Sequence, residues 1–299
     1  QASIEFSGVT SHPVVSLLRN FSAPVNLEFN YSNDELAFLM QHETNGFNQW
    51  QATQTLLERI LLDEHAADTY LQAMKNTVPA LIEKDPLLAS RIFDVPSEGY
   101  LGSRIDQNYQ PEKIQQQRNA LLDTLARELG AFCKETYLSL DPDMQLDFSQ
   151  AMGVRALKNI MLALMARQGD AEAFELAKQQ YQTTRNMSER LGALRVLVWN
   201  DAPQAKATLE DFYTRFKDEA LALDQWFMVQ ASHPKATAET IQALTAHPDY
   251  DLGTPNRIRS VTGNFSGNPV LVWTTEGMQF YTEIAKRLDQ QNPVLGSRI

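Results

Sequence analysis

The spacing of apolar residues changes near residue 32 and predicts two kinds of structure. Before that point, "APVNLEFNY" alternates Val25, Leu27 and Phe29 with polar residues, the two-residue period of a half-buried strand. The stretches "ASIEFSG" and "HPVVSLLRNF" are plausible partner strands. Because a ribbon of two or three strands is marginally stable alone, we expect residues 1–31 to be the terminal strands of a truncated β-sandwich domain.

From Asp34 onward the apolar period becomes helical. Ser32 and Asn33 offer N-caps for the first helix, whose apolar stripe begins at Leu36. The clearest helix is "PEKIQQQRNALLDTLARELGAFCKETYLSL", with Pro111 near its first turn. Its apolar face comprises Ile114, Leu121, Leu125, Leu129, Phe132 and Cys133.

Short polar links separate the later helical segments, and short links place consecutive helices antiparallel. We therefore predict a mainly α fold, an irregular α-solenoid or superhelical array of antiparallel helix pairs over residues 32–299, preceded by the short β ribbon. The chain opens in a strand-like segment and closes on "NPVLGSRI", where a new helix begins. We read it as a fragment of a longer protein whose helical domain is truncated at its end.

The charge balance narrows the class of partner. Lys and Arg number 26 and Asp and Glu 37, a formal net charge of −11. This balance argues against nucleic acid as the main partner because phosphate binding needs a basic surface, although a local basic patch could still exist. No run of eighteen apolar residues suggests a membrane span. The single cysteine, Cys133, lies on an apolar stripe and fits a core position in a reducing compartment, so we predict a cytoplasmic protein.

The sequence offers no catalytic motif. None of the five histidines is paired in a His-Glu-x-x-His arrangement, and phosphate-loop and nucleophile-elbow motifs are absent. A metal site around Asp63, Glu64, His65 and Asp68 is conceivable, but adjacent residues splay about 100° apart on a helix, which favours a solvated face. We predict no metal ligand and no catalytic residue in this chain.

The stretch "TPNRIRSVTGNFSGNP" places two arginines in a short, tightly bounded segment. Thr254 suits an N-cap, Pro255 suits the first helical position, and Gly263 suits a left-handed stop. These signals predict a helix of about two turns from Pro255 to Thr262.

A helical wheel gives the two arginines different tasks. With Ile258 and Val261 defining the apolar side, Arg257 lies about 70° from the centre of that side and Arg259 about 130° from it. Arg257 can therefore lie along its own domain and pair locally, whereas Arg259 must point to solvent, a partner or a cavity. From the residues alone, a plain surface or ion-pair role is the favoured interpretation for each arginine.

Several stretches, taken in order, resemble the bacterial aminopeptidase N (alanyl aminopeptidase) family of zinc metallopeptidases. They are "FSAPVNLEF", "LAFLMQHETNGFNQWQATQTLL", "NMSERLGAL", "DQWFMVQASHP" and "PNRIRSVTGNFSGNP". The resemblance implies a parent enzyme that removes N-terminal residues from peptides and holds zinc in a catalytic domain. It implies that this chain contains the last strands of a β-sandwich and a C-terminal helical domain that caps the active-site chamber.

The resemblance also implies two substrate-binding residues. The second arginine of "PNRIRS", Arg259, and the arginine of the closing Ser-Arg pair, Arg298, correspond to positions that face the chamber. The family's zinc motif and its Gly-x-Met-Glu-Asn loop are absent, so we expect the chain to be inactive alone. Its partners would be peptide substrates and the missing catalytic and β domains. The alternative is a free-standing helical-repeat scaffold for protein interactions, with no catalytic role.

Overall fold

The computed structural model describes residues 5, 7–25, 27–62, 65–141 and 146–297. Apart from a three-residue 3₁₀ turn at Arg19–Phe21 and one π-helical turn at Arg259–Gly263, the regular structure in these ranges is α-helical. No helix in them is both long and apolar enough to cross a membrane. The helices α1 to α17 are, in chain order, Asn33–His42, Gly46–Leu62, Asp68–Lys84, Pro86–Ile92, Glu98–Ser103, Pro111–Ser139, Phe148–Ala166, Ala171–Thr183, Met187–Trp199, Ala205–Phe216, Ala220–Ala231, Ala238–Thr245, Pro255–Ile258, Asn264–Ser266, Pro269–Val272, Thr275–Gln291 and Pro293–Gly296.

The β ribbon expected over residues 1–31 is not found in the described part of that segment. A strand needs a neighbour to bind its backbone groups, whereas the backbone bonds here are local, such as those from Phe21 N–H to the Leu18 carbonyl and from Val25 N–H to the Ala23 carbonyl. Side chains of α2 bind other groups of the segment, for example Asn48 Nδ2, 2.7 Å from the Leu17 carbonyl oxygen. The alternating apolar residues Val25, Leu27 and Phe29 remain exposed, and no sheet covers them in the part of the chain that the structure describes.

The chain divides into two compact units, residues 1–96 and 97–299. In the first unit, α1 packs on α2 and α3, and α4 packs on α3. Ser32 caps α1 as predicted. Its hydroxyl accepts from the Glu35 N–H, and its own N–H donates to the Glu35 carboxylate. The domain boundary between residues 31 and 32 stays a prediction.

Helix α6 is the longest element of the second unit and confirms the expected helix with Pro111 at its start. The residues of its predicted apolar face are buried, except that Phe132 is only half-buried. Burial raises the pKa of the Cys133 thiol to about 12. A thiol with so high a pKa stays protonated at neutral pH, so the structure confirms Cys133 as a core residue.

Neighbouring helices of the second unit pack in sequential pairs, and alternate helices also meet. Helix α6 packs on α7, α8 on α9 and α10 on α11, while α9 also contacts α7 and α11. Stacking of sequential helix pairs is the local pattern of helical repeats. The superhelical arrangement of the whole array remains a prediction.

The crossing of α7 and α9 depends on Gly192. A Cβ atom at position 192 would lie 2.3 Å from the Asn159 Cγ atom, closer than two carbon atoms can approach. Asn159 has little freedom to move, because its Nδ2 donates to the Ser188 carbonyl at 3.1 Å and its Oδ1 accepts from Gln180 Nε2 at 2.8 Å. The missing side chain therefore lets a hydrogen-bonded amide lie directly against α9.

We expect Gly192→Ala to destabilise the second unit by about 1–3 kcal/mol, because overpacking must displace Asn159 and outweighs the gain in helix propensity. Gly130→Ala in α6 is the matched control, since a Cβ there meets nothing within 4 Å. It should be neutral or stabilising by up to about 1 kcal/mol. Urea unfolding followed by circular dichroism measures both. Equal stability of the two variants would contradict the close-contact account.

Candidate functional site

The segment that follows Thr254 begins as predicted but ends differently. Pro255 occupies the first turn of α13, yet the Thr254 hydroxyl donates to Asp251 Oδ2 at 2.7 Å instead of capping the helix. The predicted left-handed stop at Gly263 is wrong. Gly263 has a φ of −66°, and the chain runs through the π turn Arg259–Gly263 into α14.

Side chains of the segment stabilise this wider turn. The Ser260 hydroxyl donates to the Arg257 carbonyl at 2.7 Å, and the Thr262 hydroxyl donates to the Ile258 carbonyl at 2.9 Å. The Asn264 amide donates to the Ser260 carbonyl at 2.9 Å. Carbonyl groups near the π turn thus gain side-chain donors, so helical backbone continues past the glycine. Single π turns of this kind occur frequently at functional sites.

Arg257 is buried and paired, which confirms the local role assigned to it. Its Nε donates to Asp224 Oδ1 of α11 at 2.6 Å, and its Nη1 donates to the Asp249 carbonyl. The guanidinium carbon lies 5.1 Å from the centroid of the Phe227 ring. Both charged partners are buried. The pair therefore joins the segment after Thr254 to α11 through a strong, poorly solvated interaction.

Arg259 is exposed, as the helical wheel predicted, while Ile258 and Val261 on the opposite side are fully buried. Its polar neighbour is Asn256, whose Oδ1 lies 3.4 Å from Arg259 Nη1. At that distance the hydrogen bond is weak. The guanidinium thus keeps most of its five donors for solvent or a ligand.

Arg259 lines an open groove of about 710 Å³ formed with α9, α10 and α11. Gln225, Asn256 and Glu219 supply further polar groups, and the apolar lining includes Met187, Leu221 and Met228. Amide and guanidinium donors suit carbonyl or carboxylate oxygens, and the methionines can adapt to apolar side chains of different shapes. The groove thus combines hydrogen-bond donors with adaptable apolar side chains.

The other candidate residues are not brought to this groove. Arg298 lies outside the described residues, as do Asp63 and Glu64. Of the proposed acidic cluster, His65 and Asp68 are both exposed. Across the described ranges, no three His, Cys, Asp or Glu side chains form a group that could hold a metal ion. The described residues therefore do not fit a zinc site. That the chain binds no zinc stays a prediction.

The sequence reasoning missed Asp224 as the partner of Arg257. A signal for it exists in "LALDQWFMVQA", where one carboxylate stands among mostly apolar residues of a largely buried helix. A buried carboxylate needs a cation or several donors. Which cation it meets depends on packing across 33 positions of the chain, and the sequence pattern does not reveal that.

Comparisons with known proteins agree on one family. Residues 33–299 match the family described as "Domain of unknown function (DUF3458_C) ARM repeats". Aminopeptidase N of Escherichia coli is 31% identical over 316 residues, with 98% of this chain and 35% of that protein covered. Aminopeptidase N of Caulobacter vibrioides is 30% identical over 318 residues, with 100% of this chain and 36% of that protein covered.

A solved structure shares the fold. The crystal structure of Legionella pneumophila aminopeptidase A in complex with aspartic acid superposes with a TM-score of 0.84 at 27% identity, covering 98% of this chain and 36% of that one. The chain thus spans about a third of the length of the curated relatives it matches.

We expect Asp224→Ala to destabilise the second unit by about 3–5 kcal/mol, because Arg257 would stay buried without its carboxylate. Asp123→Ala is the matched control. Asp123 also lies 2.6 Å from an arginine nitrogen, that of Arg167, but its side chain is 54% exposed, so its loss should cost at most about 1 kcal/mol. Chemical denaturation of both variants measures the difference. Similar losses of unfolding free energy in the two variants would show that the buried pair of Asp224 and Arg257 stabilises the unit no more than an exposed pair does.

Proposed function

The chain belongs to the aminopeptidase N family, in which it corresponds to a C-terminal part of the whole protein, and from this premise we propose that it caps the active-site chamber of a zinc aminopeptidase. In this role it governs how peptides reach the zinc site. The catalytic zinc and the groups that break the peptide bond belong to other parts of the whole protein, so the chain alone has no hydrolytic activity. Family membership favours this proposal over a free-standing scaffold.

The presentation of Arg259 carries the proposal. Two residues before it, Arg257 is tied to Asp224, and on its other side Ile258 and Val261 are buried. Arg259 therefore extends from an anchored backbone into a groove instead of from a free surface loop. A guanidinium held in this way offers fixed donors to the carbonyl or carboxylate oxygens of a peptide.

The mechanism is one of positioning. A peptide whose N-terminus lies at the catalytic zinc needs its downstream residues held in place, since correct orientation lowers the entropic cost of reaction. Arg259 binds downstream oxygens directly or through water, and the methionines of the groove contact apolar side chains. Arg298 supplies a second contact of the same kind, which rests on the family resemblance alone.

The partners follow from the same role. They are peptide substrates and the catalytic and β domains of the same chain, with no nucleic acid and no membrane. The net charge of −11 argues against nucleic acid, because a negatively charged protein does not attract a phosphate backbone. We place the enzyme in the cytoplasm, in keeping with its single, buried cysteine.

We expect Arg259→Ala in the full-length enzyme to lower kcat/KM for a pentapeptide by about tenfold, the value of one lost charged hydrogen bond. Turnover of an aminoacyl chromogenic amide should change less than about twofold, since that substrate has no downstream residues. Steady-state kinetics on both substrates measure the split. Arg127→Ala is the control, because Arg127 is an exposed arginine on α6 remote in sequence from the groove.

Equal losses on the two substrates would remove Arg259 from downstream binding. A loss of the same size in Arg127→Ala would point to a general charge effect. Arg259→Lys should restore only part of the peptide turnover, because an ammonium group keeps the charge but not the planar arrangement of donors.

A further inference from the structure

A groove of about 850 Å³ lies between α7 and α9. It shares Leu191 with the Arg259 groove. Its volume falls in the range of ligand-binding cavities, about 300–1,000 Å³. Neither the family role nor the proposed substrate path gives this groove a task.

Arg195 of α9 lies in the groove with an unsatisfied donor. Its Nε is buried and has no hydrogen-bond partner within the described part of the chain. Burial lowers the pKa of the guanidinium, whose carbon lies 5.1 Å from the centroid of the Trp199 ring. The Arg195 guanidinium makes no hydrogen bond or ion pair in the described part of the chain, so its terminal nitrogens remain available to an anionic ligand in the groove that Arg195 lines.

The rest of the charged lining has the same sign. Arg155 of α7 makes no hydrogen bond or ion pair in the ranges that the structure describes, and Arg167, paired with Asp123, lies at the end of α7. Among the residues that the structure describes, no carboxylate lines this groove. In a chain with a net charge of −11, Arg155 and Arg195 are two guanidinium groups without an ion-pair partner among the described residues, and together they make a local site for an anion.

The apolar lining selects the kind of anion. Phe148 is 80% exposed, Met152 is also exposed, and Trp199 lies beside Arg195. A phosphate would leave these side chains in water. A carboxylate next to an apolar side chain would bind the arginines and cover the apolar surface together.

The length of the groove favours a peptide over a single small molecule. Its lining runs along α7 from Phe148 to Arg167, about 28 Å at the rise of an α-helix. An extended chain of about eight residues covers that distance. We propose that this groove binds an extended peptide segment of a partner protein in which carboxylates alternate with apolar side chains, with Arg195 and Arg155 contacting the carboxylates.

The test uses the full-length protein and fluorescent eight-residue peptides blocked at both ends, since a blocked N-terminus removes the amine that an aminopeptidase acts on. Fluorescence anisotropy compares an alternating Glu-Leu peptide with its Gln-Leu and Glu-Ser counterparts. We expect the Glu-Leu peptide to bind at least tenfold more tightly than either, because each counterpart removes one half of the recognition. Equal binding of the Glu-Leu and Gln-Leu peptides would overturn the proposal, as would the absence of binding at millimolar concentration.

Variants locate the site. Arg195→Gln and Arg155→Gln should each weaken binding of the Glu-Leu peptide about tenfold. The Arg195→Gln protein should bind the Gln-Leu peptide about as tightly as the unsubstituted protein does, because that peptide has no carboxylate for Arg195 to contact. Arg127→Gln is the control and should bind like the parent protein. Arg155 is only half-buried, so its variant tests the site even if Arg195→Gln disturbs folding. Unchanged binding in both groove variants would place the peptide elsewhere and overturn the assignment.

Full displacement of the Glu-Leu peptide by an equimolar single carboxylate, N-acetyl-leucine, would overturn the peptide-length argument.

Discussion

The buried ion pair between Arg257 and Asp224 is the constraint on which the Arg259 site depends. A charge taken out of water is tolerated only when it is well paired, and Arg257 meets a carboxylate, a carbonyl and an aromatic ring. With Arg257 held against α11, Ile258 and Val261 are directed into the core. The next arginine along the chain is then left facing the groove, so one buried charge fixes the direction of another that stays exposed.

A second constraint shapes the neighbouring groove. Gly192 allows the Asn159 amide to lie against α9, where it joins Ser188 and Gln180 in one hydrogen-bonded cluster. That cluster sets how closely α7 and α9 approach, and the larger groove opens between the same two helices. The Asn159 amide is hydrogen-bonded in the cluster, while Arg195 nearby keeps an unsatisfied donor. The contrast distinguishes a contact that holds the fold from a group available to a ligand.

The sequence predicted well the features that depend on helical periodicity. Apolar spacing located α6 and its buried face, and a rotation of 100° per residue separated Arg257 from Arg259 before any contact was known. The failures have non-local causes. The alternation around Val25 predicted a strand, but a strand forms only beside a partner, and the described segment has none. Gly263 looked like a helix stop because a glycine permits one, while the side chains of Ser260 and Thr262 allow helical backbone to continue.

The two grooves could not be predicted because their walls come from helices distant in sequence. Asp224 reaches Arg257 across 33 positions, and Arg155 lines one cavity with Arg195 from a different helix. Motif resemblance supplied Arg259 as a candidate, and the structure supplies the anchor that gives its orientation a physical cause. Arg298 lies outside the described residues, so its assignment as a substrate-binding residue still rests on the resemblance.

Amide hydrogen exchange in Asp224→Asn tests most directly whether the buried pair holds the Arg259 segment in place. This isosteric change removes the carboxylate charge while leaving the shape of the side chain nearly intact. The account predicts faster exchange of backbone amides in residues 258–266, measured by mass spectrometry, with unchanged exchange in α7 and α9. Unchanged exchange in residues 258–266 would contradict it, because the turn that presents Arg259 would then be held by something other than Arg257 and Asp224.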